Sequence, residues 1–143
     1  MKKYLMLSIV AMSFLSAGMA QSNKKKMNVP DVVKQAFEKN FPGAAAKWEK
    51  EGAQYEANFK SGGHEMSAVF DSNGTMAETE MEIPVTELPA AIVTYVKTNY
   101  KAAKIGEAAK ITKSNGELNY EAEVKGKDLI FDANGKFLKE DKE

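Results

Sequence analysis

Cysteine is absent from all 143 residues, and arginine is absent with it. The first absence removes disulfides, zinc–thiolate sites and thiol nucleophiles in one step. The second removes the side chain on which bidentate recognition of phosphate and guanine leans, so no nucleic-acid partner is expected. One histidine, His64, and one tryptophan, Trp48, complete a thin inventory. There is no Gly-rich phosphate loop, and no nucleophile, base and orienting group can be assembled into a catalytic set. The chain is therefore expected not to be an enzyme, and to carry no cofactor and no metal.

What is present begins with an address. Lys2 and Lys3 form a basic start, Tyr4 to Leu15 an apolar run, and Gly18 and Ala20 the small residues of a cleavage site. Residues 1–20 are read as a signal peptide cut near Ala20-Gln21, with a periplasmic or secreted product. The apolar run is short for a bilayer span, and no membrane span is expected in the mature chain. Residues 21–28 are polar and aperiodic, a flexible tether. Beyond residue 20 the chain carries 18 lysines against 20 acidic residues, a net charge of −2.

The rest of the sequence says one thing twice. Val29-Pro30 through Asn40-Phe41 returns as Leu88-Pro89 through Asn99-Tyr100, at an offset of 59 residues. Tyr55-Glu56-Ala57 returns as Tyr120-Glu121-Ala122, and Phe70-Asp71-Ser72-Asn73-Gly74 as Phe131-Asp132-Ala133-Asn134-Gly135. Three segments recurring in order imply two copies of one supersecondary unit, 29–83 and 84–143. The copies differ in their loops, chiefly 104–119 in the second and Ser61-Gly62-Gly63-His64 in the first.

Each copy opens on a helix. Val29, Val33, Ala36, Phe37 and Phe41 fall on one helical stripe, as do Leu88, Ile92, Tyr95, Val96 and Tyr100, with Pro30 and Pro89 at the starts. The period then changes to two: Tyr55, Ala57 and Phe59 face one way, Glu56 and Asn58 the other, and Tyr120, Ala122 and Val124 repeat this against Glu121 and Glu123. First strands fall near 46–50 and 110–114, third strands at 65–70 and 128–131, fourth strands at 75–83 and 136–139. Asn73-Gly74 and Asn134-Gly135 signal hairpins whose two central residues take positive φ. The expected fold is α+β: two helix-plus-four-strand antiparallel meanders forming one sheet, helices on one side and the other side open. Val33, Phe37, Ile92 and Val96 are its expected core.

This ordered pattern, a Leu/Val-Pro helix start, a Tyr-Glu-Ala strand and Phe-Asp-x-Asn-Gly, occurring twice, resembles the PepSY-like family, also described as β-lactamase-inhibitor-like. The resemblance covers about residues 28–140. It implies a small exported protein of the Gram-negative envelope that binds or inhibits other proteins, and it carries no catalytic residue onto this chain. An inhibitor of β-lactamases is expected to present aromatic anchors, whereas the face opposite the core here offers Glu56, Asn58, Glu121 and Glu123.

Those four residues and Trp48 are the candidate binding residues, for an exported protein partner. Glu78, Glu80 and Glu82 alternate with Ala77, Thr79, Met81 and Ile83, which reads as a strand with a solvated acidic face. Asp71 and Glu82 stand at the first and twelfth positions of a calcium-loop window, but its glycine is misplaced and flanking helices are lacking. His64 and Met66 are too few for a copper site. The alternatives are a small-ligand or cation-binding periplasmic protein using the acidic faces, and a structural envelope component.

Overall fold

The computed structural model describes residues 27–101 and 103–142. The signal peptide expected at 1–20 and most of the tether lie outside the described residues. The chain runs α1 (Asp31–Asn40), β1 (Lys47–Glu51), β2 (Gln54–Ser61), β3 (His64–Phe70) and β4 (Met76–Glu82), then a 3-10 turn (Val85–Glu87). It continues through α2 (Ala90–Asn99), β5 (Ala108–Lys113), β6 (Leu118–Glu123), β7 (Lys127–Asp132) and β8 (Phe137–Lys142). The fold is α+β, as expected. All eight strands form one antiparallel sheet in chain order, and β4 pairs directly with β5 from Glu78↔Lys113 to Glu82↔Ala109.

Local chemistry accounts for the helices. Pro30 and Pro89 stand immediately before them with φ near −57° and −50°, where a missing N–H costs nothing. Asp31 in the first turn and Lys39 in the last suit the helix dipole. Each helix closes with a backbone bond one residue beyond it, Phe41 N to Phe37 O and Tyr100 N to Val96 O, both 2.8 Å.

Residues opposed across antiparallel strands share a face. The chain of partners Ala57–Ala68–Thr79–Thr112–Leu118 therefore carries one face from β2 to β6. Both helices pack on that face. Val33 and Phe37 meet Tyr55, Ala57, Phe59 and Phe70, while Ile92 and Val96 meet Ala122, Leu129 and Phe131. All four expected core residues are buried. Complete burial of each such side chain contributes roughly 1.5–3 kcal/mol.

The two Asn-Gly hairpins form, with a different turn. Gly74 and Gly135 take φ of +85° and +80°, but among the described residues Lys125 is the only other residue type at positive φ, so Asn73 and Asn134 are not. The Gly74 N–H donates to Asp71 O and the Asp71 N–H to Thr75 O, each at 2.9 Å, with the same pair repeated from Gly135 and Asp132. A turn closed by one left-handed glycine results, and the pairing slips beside it at Val69/Phe70 and Ile130/Phe131. Side-chain oxygens hold this geometry: Asn73 Oδ1 accepts from Thr75 N, and Asp132 Oδ1 from Asn134 N and Lys136 N. Both glycines press on a helix. A Cβ on Gly74 would stand 2.9 Å from Val32 O, and one on Gly135 2.8 Å from the Ala91 Cβ.

Candidate functional site: a concave acidic sheet face

The other face of the sheet has no helix on it, yet its centre is dry. Glu56, Ser67, Glu80, Asn119, Glu121 and Asp128 are all buried, with Glu56 1% and Glu80 3% exposed. Strand register places them together. Ser67 lies opposite Glu80, Glu80 opposite Ile111, and Ile111 opposite Asn119. Glu56 faces Val69, which faces Glu78, and Glu121 faces Ala109 and Ile130. Val69, Ala109, Ile111 and Ile130 are themselves buried and separate the polar groups.

Curvature explains this burial. Lys139 on β8 is close enough to lower the pKa of Glu78 on β4. Four strand spacings of a flat sheet would hold them about 19 Å apart. From that influence and from the burial of a face without a helix we infer that the sheet curls toward this side, making it concave, so that side chains from distant strands close over the centre. The expectation of a solvated acidic face at Glu78, Glu80 and Glu82 is corrected accordingly: Glu80 is buried, Glu78 half-buried and Glu82 exposed. Alternation told which side these carboxylates take, and the curl decided that the central one loses water.

The electrostatics follow. Burial raises the Glu56 carboxyl from 4.5 to about 7, the charge of Glu51 adds to the rise, and the Ser67 hydroxyl beside it opposes. Burial also lifts Glu80 well above the usual carboxylate range, with Glu121, Glu56, Glu78 and Asp128 pushing the same way. For Glu78, burial raises the pKa while Lys113 and Lys139 lower it. Glu56 Oε2, Glu80 Oε2 and Asn119 Oδ1 are buried without a hydrogen-bond partner, and Ser67 Oγ completes no bond of good geometry. A dry, unsatisfied polar oxygen costs about 1–3 kcal/mol. Four on one face are expensive unless something else uses them. Among the described residues, no three His, Cys, Asp or Glu side chains are arranged to hold a metal ion.

The candidate residues from the sequence divide. Glu56 and Glu121 are buried in the concave centre, and Asn58 and Glu123 are half-buried on the same face. Trp48 lies on the helix side of β1. Its ring packs edge-on against Phe37 at 5.4 Å and tilted against Phe70 at 6.1 Å. Ser67, Asn119 and Asp128 were missed: Asn119 shares the alternation of Glu121, two residues on, whereas Ser67 and Asp128 reach the face through their pairing with Glu80 and Glu123. The Asp71 turn binds within the protein, Asp71 Oδ1 accepting from Gln54 Nε2 at 2.9 Å. A groove of about 570 Å³ beside α2, lined by Ala91, Tyr95, Thr98 and Phe137, is open to solvent and lies on the helix side.

A family model described as beta-lactamase-inhibitor-like, PepSY-like aligns with residues 21–77 and again with 53–139. The chain belongs to the PepSY-like family. Among solved structures it is similar to a BLIP-like protein from Bacteroides fragilis NCTC 9343, with 28% identity, a TM-score of 0.61, and 81% of this chain and 87% of that one covered. It is also similar to a protein from Bacteroides eggerthii DSM 20697 assigned to the periplasm, with 19% identity, a TM-score of 0.71, and coverage of 80% and 88%. The second likeness shows the fold alone. No curated protein matches the chain. Among the described residues, no helix is long and apolar enough to cross a membrane.

Proposed function

We propose that this PepSY-like protein is a non-catalytic exported protein of the bacterial envelope that binds another exported protein on the concave face of its sheet. Membership of the family, and the periplasmic assignment of a structural neighbour, support the location and the absence of catalysis. The internal recurrence is read as two copies of one helix-plus-four-strand unit, joined edge to edge so that their sheets make one surface. Inhibition of a peptidase or hydrolase is one form the binding takes in this reading.

The observation that carries the proposal is the acidic face without a helix. Exposed Glu49 and Glu82 stand outside buried Glu56, Glu80 and Glu121, so the surface offers negative charge to an approaching basic partner and hydrogen-bond acceptors behind it. Such a face raises association rate and specificity, and its effect is screened by salt.

The test uses immobilised protein in native envelope extract, with a doubly charge-reversed variant, Glu49→Lys with Glu82→Lys, alongside. Both substitutions are at exposed positions, and circular dichroism of the variant checks that the fold is kept. A partner retained by the parent protein, released near about 0.5 M salt and lost by the variant, supports the proposal. Equal retention by the variant overturns it.

A further inference from the structure

The unsatisfied atoms of the concave face have a common chemistry, and it specifies the group that fits them. Once ionised, Glu56 Oε2 and Glu80 Oε2 accept hydrogen bonds only, as Asn119 Oδ1 does, and Ser67 Oγ can accept as well as donate. They come from β2, β3, β4 and β6 and face one side of the sheet. Each belongs to a residue no more than 6% exposed. The charges acting most on Glu80 are all negative: Glu121 from β6, Glu56 from β2, Glu78 from its own strand and Asp128 from β7. Around Glu56 stand Glu51 and Glu49 of β1 and Glu78 of β4. The chain's own cations, Lys113 on β5 and Lys139 on β8, act on Glu78.

A set of acceptors inside a negative field calls for a cation made of donors. Guanidinium offers five N–H groups in a rigid planar fork, sheds its water more readily than ammonium and keeps its charge at every relevant pH. This protein contains no arginine with which to supply one. We infer that the partner inserts an arginine side chain into the concave face at Glu80, with Glu56, Ser67 and Asn119 as the flanking acceptors. The inference rests on the proposed function and deepens it by naming the anchor.

In the free protein the place of the missing cation is taken by protons. Glu56, with a pKa of about 7 and Glu49, Glu51 and Glu78 around it, is half-protonated near neutrality, and burial in the same negative field raises Glu80 well above the usual carboxylate range. Entry of a guanidinium favours the ionised carboxylates, so a proton leaves to solvent as the arginine enters. Binding is then tighter at higher pH across the neutral range, whereas a face of carboxylates with ordinary pKa values would change its affinity only in acid. The oxygens are closed over, so entry also requires the side chains of the concave face to part.

The experiment titrates the mature chain by NMR with acetyl-Gly-Arg-Gly-amide, its citrulline isostere and its lysine counterpart, at about pH 6 and about pH 8. The expected result is weak binding of the arginine peptide, with shifts centred on Glu56, Ser67, Glu80 and Asn119. It is stronger at the higher pH, and citrulline and lysine peptides bind at least about tenfold less tightly. Calorimetry of the same mixture at the lower pH, in buffers of different ionisation enthalpy, should record about one proton released per peptide. Glu80→Gln, which keeps size and removes charge, should abolish the arginine preference, while Glu87→Gln, at an exposed position of the 3-10 turn, keeps it. Equal binding of citrulline or lysine, shifts elsewhere, or unchanged preference in Glu80→Gln would overturn the inference. If the extract partner still depends on Glu49 and Glu82 while the arginine peptide fails, the anchor falls and the proposed function stands. If the peptide binds but no partner depends on those rim acids, the fault lies with the proposed function.

Discussion

Ser67 and Glu80 stand directly opposite each other on β3 and β4, both buried, and neither satisfies its side-chain oxygen on the other. A cross-strand Ser–Glu pair would ordinarily close a hydrogen bond. Leaving it open in a dry setting weakens the fold, which is the usual mark of groups held ready for something outside the chain.

Replacing Ser67 by Ala should therefore stabilise the protein, by about 0.5–2 kcal/mol, because it deletes a buried hydroxyl that lacks a full hydrogen bond. Urea denaturation midpoints for Ser67→Ala and the parent protein check this. A loss of stability would show that the hydroxyl is satisfied in solution.

The pH dependence should run opposite to that of most acidic proteins. Glu56 is raised from 4.5 to about 7 in the folded state. Between those values the native protein keeps a proton that the unfolded chain has released, so stability falls as pH rises and levels off above about 7. The drop attributable to Glu56 is about 1–3 kcal/mol. Denaturant titrations from about pH 4.5 to 8 should show it, and Glu56→Gln should flatten the curve.

Glycines at the hairpin tips separate two costs. Gly135→Ala combines a left-handed φ with a Cβ 2.8 Å from Ala91, and Gly74→Ala a left-handed φ with a Cβ 2.9 Å from Val32 O. Gly116→Ala has φ +83° with open space around it. Backbone strain alone costs about 1 kcal/mol, so Gly116→Ala should lose about that much and the other two about 2–4 kcal/mol, near the upper end of backbone-strain effects. Denaturation midpoints that rank the three alike would mean that the turns do not press on the helices.

Two apolar clusters sit under one continuous sheet. Phe37→Ala should cost roughly 3–5 kcal/mol, because its ring contacts those of Phe41, Trp48, Phe59 and Phe70. Ile92→Ala, beneath the other helix, should lower stability by roughly 2–5 kcal/mol. If the β4–β5 ladder makes the molecule one cooperative unit, Ile92→Ala shifts the Trp48 fluorescence transition as far as the circular dichroism transition. Separated transitions would show two independently melting halves.

Helices, strands and the inner face could be read from spacing alone, since Val33/Phe37 and Ile92/Val96 keep helical phase and Tyr55-Glu56-Ala57 keeps strand phase. Such patterns are local: a side chain's direction depends on residues one to four positions away. The Asn-Gly turns were only half legible. Their position followed from the dipeptide, but their type was set by side-chain oxygens of Asn73 and Asp132 and by the contact of Gly74 and Gly135 with the helices.

What the sequence determined by itself was which residues share a face, Glu56 and Glu121 among them. Whether that face is wet was beyond it. The curl of eight paired strands brings Lys139 toward Glu78 and closes Ser67, Glu80 and Asn119 away from water, and curl accumulates from small twists across every strand pair instead of residing in any one segment. A carboxylate on an alternating strand reads as solvated in sequence because its neighbours along the chain are polar. Its pKa is decided by neighbours across the sheet, which only the tertiary structure brings into place.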